Sequence, residues 1–316
     1  MRILIVTPAP PRSRKGNRIT ALRWARLLRE LGHRVELTES FADQPCDLLV
    51  AMHARRSAES IRRFRDSRPG APLIVALTGT DLYRDIKTNR AAQHSLELAD
   101  RLLLLQPAGV DALPASLRTK ARVIQQSATG LTKPPSPLHS IFEVAVIGHL
   151  RPVKDPFRAA MAVRTLPESS RIRVVHIGAA LSESMAARAR AEMARNPRYQ
   201  WIGELSPAQT LRRLARARLL VLSSRMEGGA NVISEAVAVR TPIIASFISG
   251  SIGLLGEDYP GYFEVGETSA LRHLLQRAEQ EPRFYAELRR RCDALLPLVK
   301  PRRERDDWER LIHEFA

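Results

Sequence analysis

Short runs of β-branched residues and leucine alternate along this chain with longer stretches whose apolar positions recur every three to four residues. The runs Ile3 to Thr7, Val35 to Thr38, Leu48 to Met52, Leu73 to Leu77, Leu102 to Leu105 and Val123 to Gln125 predict strands. Leu48 to Met52, Leu73 to Leu77 and Leu102 to Leu105 are apolar throughout rather than at every second residue, the pattern of parallel strands covered on both faces. Between the first two, Thr20 to Leu31 places Ala21, Leu22, Trp24, Ala25, Leu27, Leu28 and Leu31 around one helical face, and Gly32-His33 ends it. The segment from Gly130 to Ser140 carries Pro134, Pro135 and Pro137 without periodicity and predicts a linker. Beyond it the alternation restarts, with Val144 to Ile147, Val174 to Ile177, Tyr199 to Ile202, Leu219 to Leu222 and Ile243 to Ala245 as strands and Ser182 to Arg195 among the helices. From Pro301 a charged stretch becomes amphipathic through Trp308, Leu311, Ile312 and Phe315.

This organisation predicts an α/β protein of two Rossmann-like, doubly wound parallel-sheet domains facing a central cleft. The expected divisions are 1–138, 139–300 and a final helix, 301–316, packing back on the folded domains. A length of 316 residues accommodates two such cores. In open sheets of this kind ligands bind beyond the carboxyl ends of the strands, so function is sought in those loops.

Composition narrows the choice. Apolar residues make up 44% of the chain, too many for a disordered protein. Lys plus Arg number 50 against 33 Asp plus Glu, a formal charge of +17, and all but six of the cations are arginines. An arginine bias of this sort commonly follows genome composition, and aromatics at 5% leave little for base stacking, so no nucleic-acid partner is expected. Cys46 and Cys292 lie in opposite halves and can build neither a disulfide framework nor a cysteine zinc site. The first apolar run stops at Pro8, too short for a signal peptide, and no run of about 18 uncharged apolar residues follows. A soluble cytoplasmic protein without an integral membrane segment is expected.

The most informative loop runs from Ser223 to Glu235, just after a predicted strand. Gly228 and Gly229 let the backbone approach a ligand closely, and the N–H groups of Ala230, Asn231 and Val232 at the start of the next helix form an anion site. Glu227 and Glu235 stand eight positions apart, where one carboxylate can take hydroxyls near a phosphate and the other hydroxyls farther along the ligand. The same segment is equally read as a capped helix with Glu235 on its surface. A second loop, Arg12-Ser13-Arg14-Lys15-Gly16-Asn17-Arg18, sets four cations in seven residues ahead of a helix; it favours an anion or is a solvated charge run.

The Glu227 to Glu235 segment resembles the E-x7-E signature of the retaining GT-B glycosyltransferases, glycosyltransferase family 4, and the resemblance extends over nearly the whole chain. It implies that Glu235 binds the nucleotide ribose, that Glu227 binds hydroxyls of the donor sugar, and that the amides between them hold the diphosphate. Gly148-His149-Leu150-Arg151-Pro152-Val153-Lys154 is similar to the family's diphosphate loop, with Lys154 on the family's lysine. The family's arginine position is occupied by His149, with Arg151 two residues on, and either could face the phosphates. The family lines its acceptor pocket with the first loop, which assigns Arg12, Lys15, Gly16, Asn17 and Arg18 to an anionic acceptor. Histidine usually stands where this chain has Thr78, which leaves Thr78 able only to hydrogen-bond and Asp81 free to cap the following turn. His53, with Arg55 and Arg56 after the third strand, is a further acceptor contact or a structural histidine.

Within that superfamily, Thr7 to Pro11, Gly16-Asn17-Arg18, His53 to Arg56, Leu77 to Tyr83 and Gly148 to Arg151 resemble the selenosugar synthases of selenoneine biosynthesis. That resemblance implies transfer of a sugar, with UDP-N-acetylglucosamine the expected donor, to selenophosphate with release of UDP and phosphate. No cofactor is implied, since the UDP-sugar is a substrate, and no Asp-x-Asp metal motif is present. The competing readings are a family 4 enzyme acting on another small, saccharide or lipid acceptor, a nucleotide-sugar 2-epimerase, and a noncatalytic anion-binding protein.

Overall fold

The computed structural model describes residues 1–11, 13, 16–138 and 140–315, and packing divides the chain into two units. Unit 1 holds Met1–Ser127, Glu227–Asn231 and the chain from Lys300 onward; unit 2 holds Ala128–Met226 and Val232–Val299.

Unit 1 is built from β1 (Arg2–Val6), α1 (Gly16–Glu30), β2 (Arg34–Thr38), β3 (Leu48–Met52), α2 (Ala58–Ser67), β4 (Leu73–Ala76), α3 (Ile86–Thr88), α4 (Arg90–Leu98), β5 (Arg101–Leu104) and β6 (Ala121–Val123). Its six strands are all parallel in the order β2-β1-β3-β4-β5-β6. Alternation of side chains across the pleat divides each strand between two cores. Leu4, Val6, Leu49, Ala51, Leu73 and Val75 join Phe64 of α2 and Leu96 of α4 on one face. Ile3, Ile5, Leu48, Val50, Ile74 and Ala76 join Trp24, Leu27 and Leu28 of α1 on the other. Helix α1 begins a turn before the expected Thr20, and Leu22, expected on the buried face, is exposed. The helical period puts residue 22 on the far side from Ala21, Trp24, Ala25 and Leu28, which are buried.

Unit 2 contains β7 (Phe142–Ile147), α5 (Arg158–Val163), β8 (Ile172–Ile177), α6 (Glu183–Arg195), β9 (Tyr199–Trp201), α7 (Pro207–Arg216), β10 (Leu219–Leu222), α8 (Asn231–Ala238), β11 (Ile243–Ser246), α9 (Ser249–Leu255), β12 (Tyr262–Phe263), α10 (Thr268–Gln280) and α11 (Pro282–Ala294). Its strands are parallel in the order β12-β11-β10-β7-β8-β9. Read from β9 this is the doubly wound order 3-2-1-4-5-6 of dinucleotide-binding folds. Strand β12, two residues at the sheet edge, was not anticipated from the pattern.

The last helix, α12 (Pro301–His313), returns to unit 1, where Trp308, Leu311 and Ile312 complete the core beneath α1. Trp308 meets Trp24 edge to face, with ring centroids 5.1 Å apart. Among the described residues no helix is long and apolar enough to cross a membrane.

Candidate active site

Each sheet has one point where the chain reverses its direction of winding, and loops at that point are the natural ligand site. In unit 2 the reversal falls between β7 and β10, which are paired neighbours. The loop leaving β7 carries His149, Arg151 and Lys154, and the loop leaving β10 leads into α8. The topology therefore sets the loop leaving β7 beside residues 223–226, the start of the segment singled out from the sequence.

Residues 148–155 are held by a dense set of bonds. Gly148 N–H donates to Ile177 O at 2.9 Å and Leu150 N–H to Ala179 O at 2.9 Å. His176, buried near the carboxyl end of β8, donates from Nε2 to Gly148 O at 3.0 Å. Its Nδ1 is then the acceptor for the Tyr199 hydroxyl at 3.1 Å. Burial lowers the His176 pKa to about 4 against the opposing pull of the Gly148 carbonyl, so the ring is neutral near pH 7. Gly178 passes so close to the Gly148 carbonyl that a Cβ has no room. Ala179 N–H donates to His149 Nδ1 at 3.2 Å, which leaves the proton of the neutral His149 ring on Nε2 as a donor.

After one turn of 3-10 helix over Pro152–Lys154, Asp155 adopts a left-handed conformation with φ 42°. Its carboxylate takes Arg158 Nε at 2.9 Å, and Arg158 continues to Thr268 Oγ1 at 2.7 Å. The buried Ser223, first residue beyond β10, donates to Asp155 O at 2.9 Å and lies 3.3 Å from Lys154 O. Arg225 N–H donates to Val153 O at 2.9 Å. The end of β10 thus fixes the backbone that presents Lys154. Val232 and Glu235 lie on α8, with Val232 buried and Glu235 partly exposed.

In unit 1 the loops after β1, β3 and β4 share the carboxyl edge of adjacent strands. Gly16, Asn17 and Arg18 form the first turn of α1. Arg12 and Lys15, expected to hold an anionic acceptor, lie outside the described residues. His53 follows β3 in a left-handed conformation, φ 76°, and is buried. Its Nδ1 accepts Arg56 N–H at 3.3 Å, so Nε2 carries the proton toward Thr80 Oγ1 at 3.2 Å. Burial lowers the His53 pKa, opposed by the nearby Asp81 carboxylate.

Asp81 does not cap the turn that follows it. Its fully buried carboxylate reaches back, accepting Thr78 N–H and Gly79 N–H, each at 2.9 Å, and Ala54 N–H at 3.1 Å. It ties the loop after β4 to the loop after β3, while residues Asp81–Asp85 form a single wide π-helical turn. Glu227–Asn231 packs with this unit. A Cβ on Gly228 would lie 2.5 Å from the Thr78 carbonyl carbon, and one on Gly229 2.5 Å from Leu105 Cβ. These two glycines are required by close approach to β-strand ends, a reason that differs from the ligand approach inferred from sequence.

Residues 139–294 match the family described as glycosyl transferases group 1. The chain has the GT-B fold, and its second half carries the group 1 domain. Its fold is similar to that of HepE from Anabaena, solved in complex with UDP and glucose, at 15% identity and a TM-score of 0.79 over 99% of this chain and 100% of that one. Sucrose-phosphate synthase from Thermosynechococcus elongatus gives a TM-score of 0.80 at 14% identity, covering 99% and 98% of the two chains. The lipopolysaccharide outer core galactosyltransferase WaaB gives 0.71 at 12% identity, with both chains fully covered. No curated protein matches in sequence.

Several residues that hold these loops and helices in place were not singled out from the sequence. His176 is one, although a histidine inside the apolar run Ile172–Ile177 is the kind of exception that marks a buried hydrogen bond. Glu304 is another: it lies four residues before Trp308 on the apolar stripe of α12 and is buried. Ser223 carried no signal beyond its place after a strand.

Proposed function

We propose that this protein is a glycosyltransferase that transfers a sugar, N-acetylglucosamine being the expected one, from a UDP-sugar to selenophosphate, with retention at the anomeric carbon. The donor half rests chiefly on one observation: Ser223, at the end of β10, anchors the backbone of the Lys154 loop at the winding reversal of unit 2. A lysine so anchored suits a diphosphate whose charge grows as the anomeric C–O bond breaks. His149 Nε2 and Arg151 supply further donors, the 230–232 amides take phosphate oxygens, and Glu227 and Glu235 take sugar and ribose hydroxyls. The UDP and glucose found with HepE support a UDP-sugar as the donor class.

The acceptor half rests on the selenosugar-synthase resemblance and on the charge of the first loop, where Arg12, Lys15 and Arg18 with Gly16 and Asn17 suit a compact dianion. His53 and Asp81 hold the Thr78 loop in shape from behind. In the reaction, a selenium lone pair forms the bond to the anomeric carbon and the C–O bond to the diphosphate breaks, releasing UDP. Water then cleaves the Se–P bond, giving phosphate and the selenosugar. Selenium is already strongly nucleophilic as the anion, so no strong base is required and a threonine at position 78 is compatible with turnover.

The test is to incubate the protein with a panel of UDP-sugars, each with selenophosphate, thiophosphate, phosphate or no acceptor, following UDP release and product mass. Selenophosphate-dependent UDP release with a selenosugar mass is the expected result. UDP release indifferent to selenophosphate overturns the acceptor assignment, and absence of any UDP or UDP-sugar binding by calorimetry overturns the donor assignment as well.

A further inference from the structure

Arg23, on α1, links the last helix of the chain to the donor loop. Its Nε donates to Glu304 Oε1 at 3.2 Å and lies 3.0 Å from Oε2, while its terminal NH1 donates to Asn231 Oδ1 at 3.0 Å. Glu304 is 1% exposed, and the rest of its capacity is filled by Trp24 Nε1 at 2.9 Å, Ser127 N–H at 2.8 Å and the Ser127 hydroxyl at 2.5 Å. A buried carboxylate with these further hydrogen bonds has one orientation, and the guanidinium paired with it inherits that orientation. Asn231 is held from its other side as well, its Nδ2 lying 3.4 Å from Thr20 Oγ1.

Asn231 ends the segment 227–231, whose other fixed points are Gly228 against Thr78 and Gly79 and Gly229 against Leu105. The glycines fix where the segment lies, because there is no room for it to move closer. The Arg23 and Thr20 contacts fix its far end. A purely stabilising Arg23 would be expected to use all its donors, yet its second terminal nitrogen, NH2, is buried without a hydrogen bond. A buried donor left unpaired costs stability, and such costs are tolerated where geometry matters for function.

We infer that Arg23 is a positioning residue for the donor: aligned by Glu304, it holds Asn231 and with it the carboxylate and amides of Glu227–Asn231 in the arrangement that receives a sugar nucleotide. This inference rests on the donor assignment above. It predicts that Arg23→Gln weakens UDP binding about tenfold, the scale of one hydrogen bond to a charged group. It also predicts that kcat/KM for the UDP-sugar falls by a similar factor while KM for the acceptor is unchanged.

The decisive measurement is a double-mutant cycle with Asn231→Ala, which removes the carboxamide and keeps the backbone N–H. If Arg23 acts through Asn231, Arg23→Gln costs no further UDP affinity in the Asn231→Ala background, although its effect on Tm, exerted through Glu304, persists there. Equal losses of UDP affinity in both backgrounds, or a change in Tm alone, overturn the inference. Should Arg23→Gln fail to fold, Arg23→Gln with Glu304→Gln removes both buried charges together and the same cycle is run on that pair. Wild-type protein that binds no UDP defeats the donor assignment itself, whereas wild-type binding with additive losses defeats only the role given to Arg23.

Discussion

Lys154 and the glycines of the 227–231 segment are read differently once their surroundings are known. Lys154 is presented by a backbone anchored through Ser223, and those backbone bonds do not depend on its side chain. Lys154→Ala is expected to lower kcat by about 10² to 10³, by analogy with removal of a single oxyanion donor, with the fold retained. Near-normal turnover in a steady-state assay of UDP release would take Lys154 out of the chemistry. Gly228 fails in another way. A methyl group there meets the Thr78–Gly79 backbone, with 2.6 Å to Gly79 N, so backbone must shift to admit it. Gly228→Ala is expected to cost about 1–3 kcal/mol in urea unfolding, the range for overpacking. Sequence alone singled out Lys154, Glu227 and Glu235 as candidates, because a lysine and paired carboxylates clustered around loops after strands add nothing to an apolar core and are well suited to a polar ligand. It could not make Arg23 or Ser223 legible, since their partners, Asn231 and Glu304 for one and the 154–155 carbonyls for the other, are distant in the chain.

At the level of elements, the interior strands were readable because a parallel strand covered on both faces is apolar throughout, as in Leu48–Met52. The edge strand β12 was not, because two residues cannot display a period. The start of α1 was missed for a similar reason: Gly16 and Asn17 are poor helix formers, and it is the packing of Trp24 and Leu28 that holds the helix they begin. Strand β8 carries a consequence that can be measured. His176 is neutral when folded, with its pKa lowered from 6.5 to about 4 by burial, whereas in the unfolded chain it titrates normally. Between about pH 6.5 and 4 the unfolded state therefore holds a proton that the folded state lacks, and stability falls as pH falls. The loss from this residue is roughly 3 kcal/mol and is complete near pH 4. Urea unfolding of wild-type protein and His176→Gln across this range should show the wild type alone carrying that slope. Glu192, lowered to about 2 because hydrogen bonds led by Arg164 outweigh its burial, acts only below about pH 4.5, so the two effects separate. Parallel pH dependence in the two proteins would mean that His176 is charged when folded.

For the whole molecule, packing and chain order disagree, and the disagreement is testable. Residues 128–226 and 232–299 form unit 2, yet the helix that follows them is part of the core of unit 1. Trp308 is fully buried there against Trp24, and Leu311 and Ile312 extend the same surface. Truncating a buried tryptophan to alanine typically costs about 3–5 kcal/mol, through lost transfer energy and the cavity left behind. Packing places that cost in unit 1, whose partner Trp24 lies 284 positions upstream, and spares the strands of unit 2. Hydrogen exchange should therefore find the amides of β1 and β3 deprotected in Trp308→Ala while those of β7 and β8 keep their wild-type protection. Trp308→Phe should lose less, because the indole Nε1 is buried without a hydrogen bond and its removal relieves an unpaired donor. Equal deprotection of β1 and β7 in Trp308→Ala would mean that the two units unfold as one cooperative body, and the assignment of α12 to the stability of unit 1 alone would be wrong.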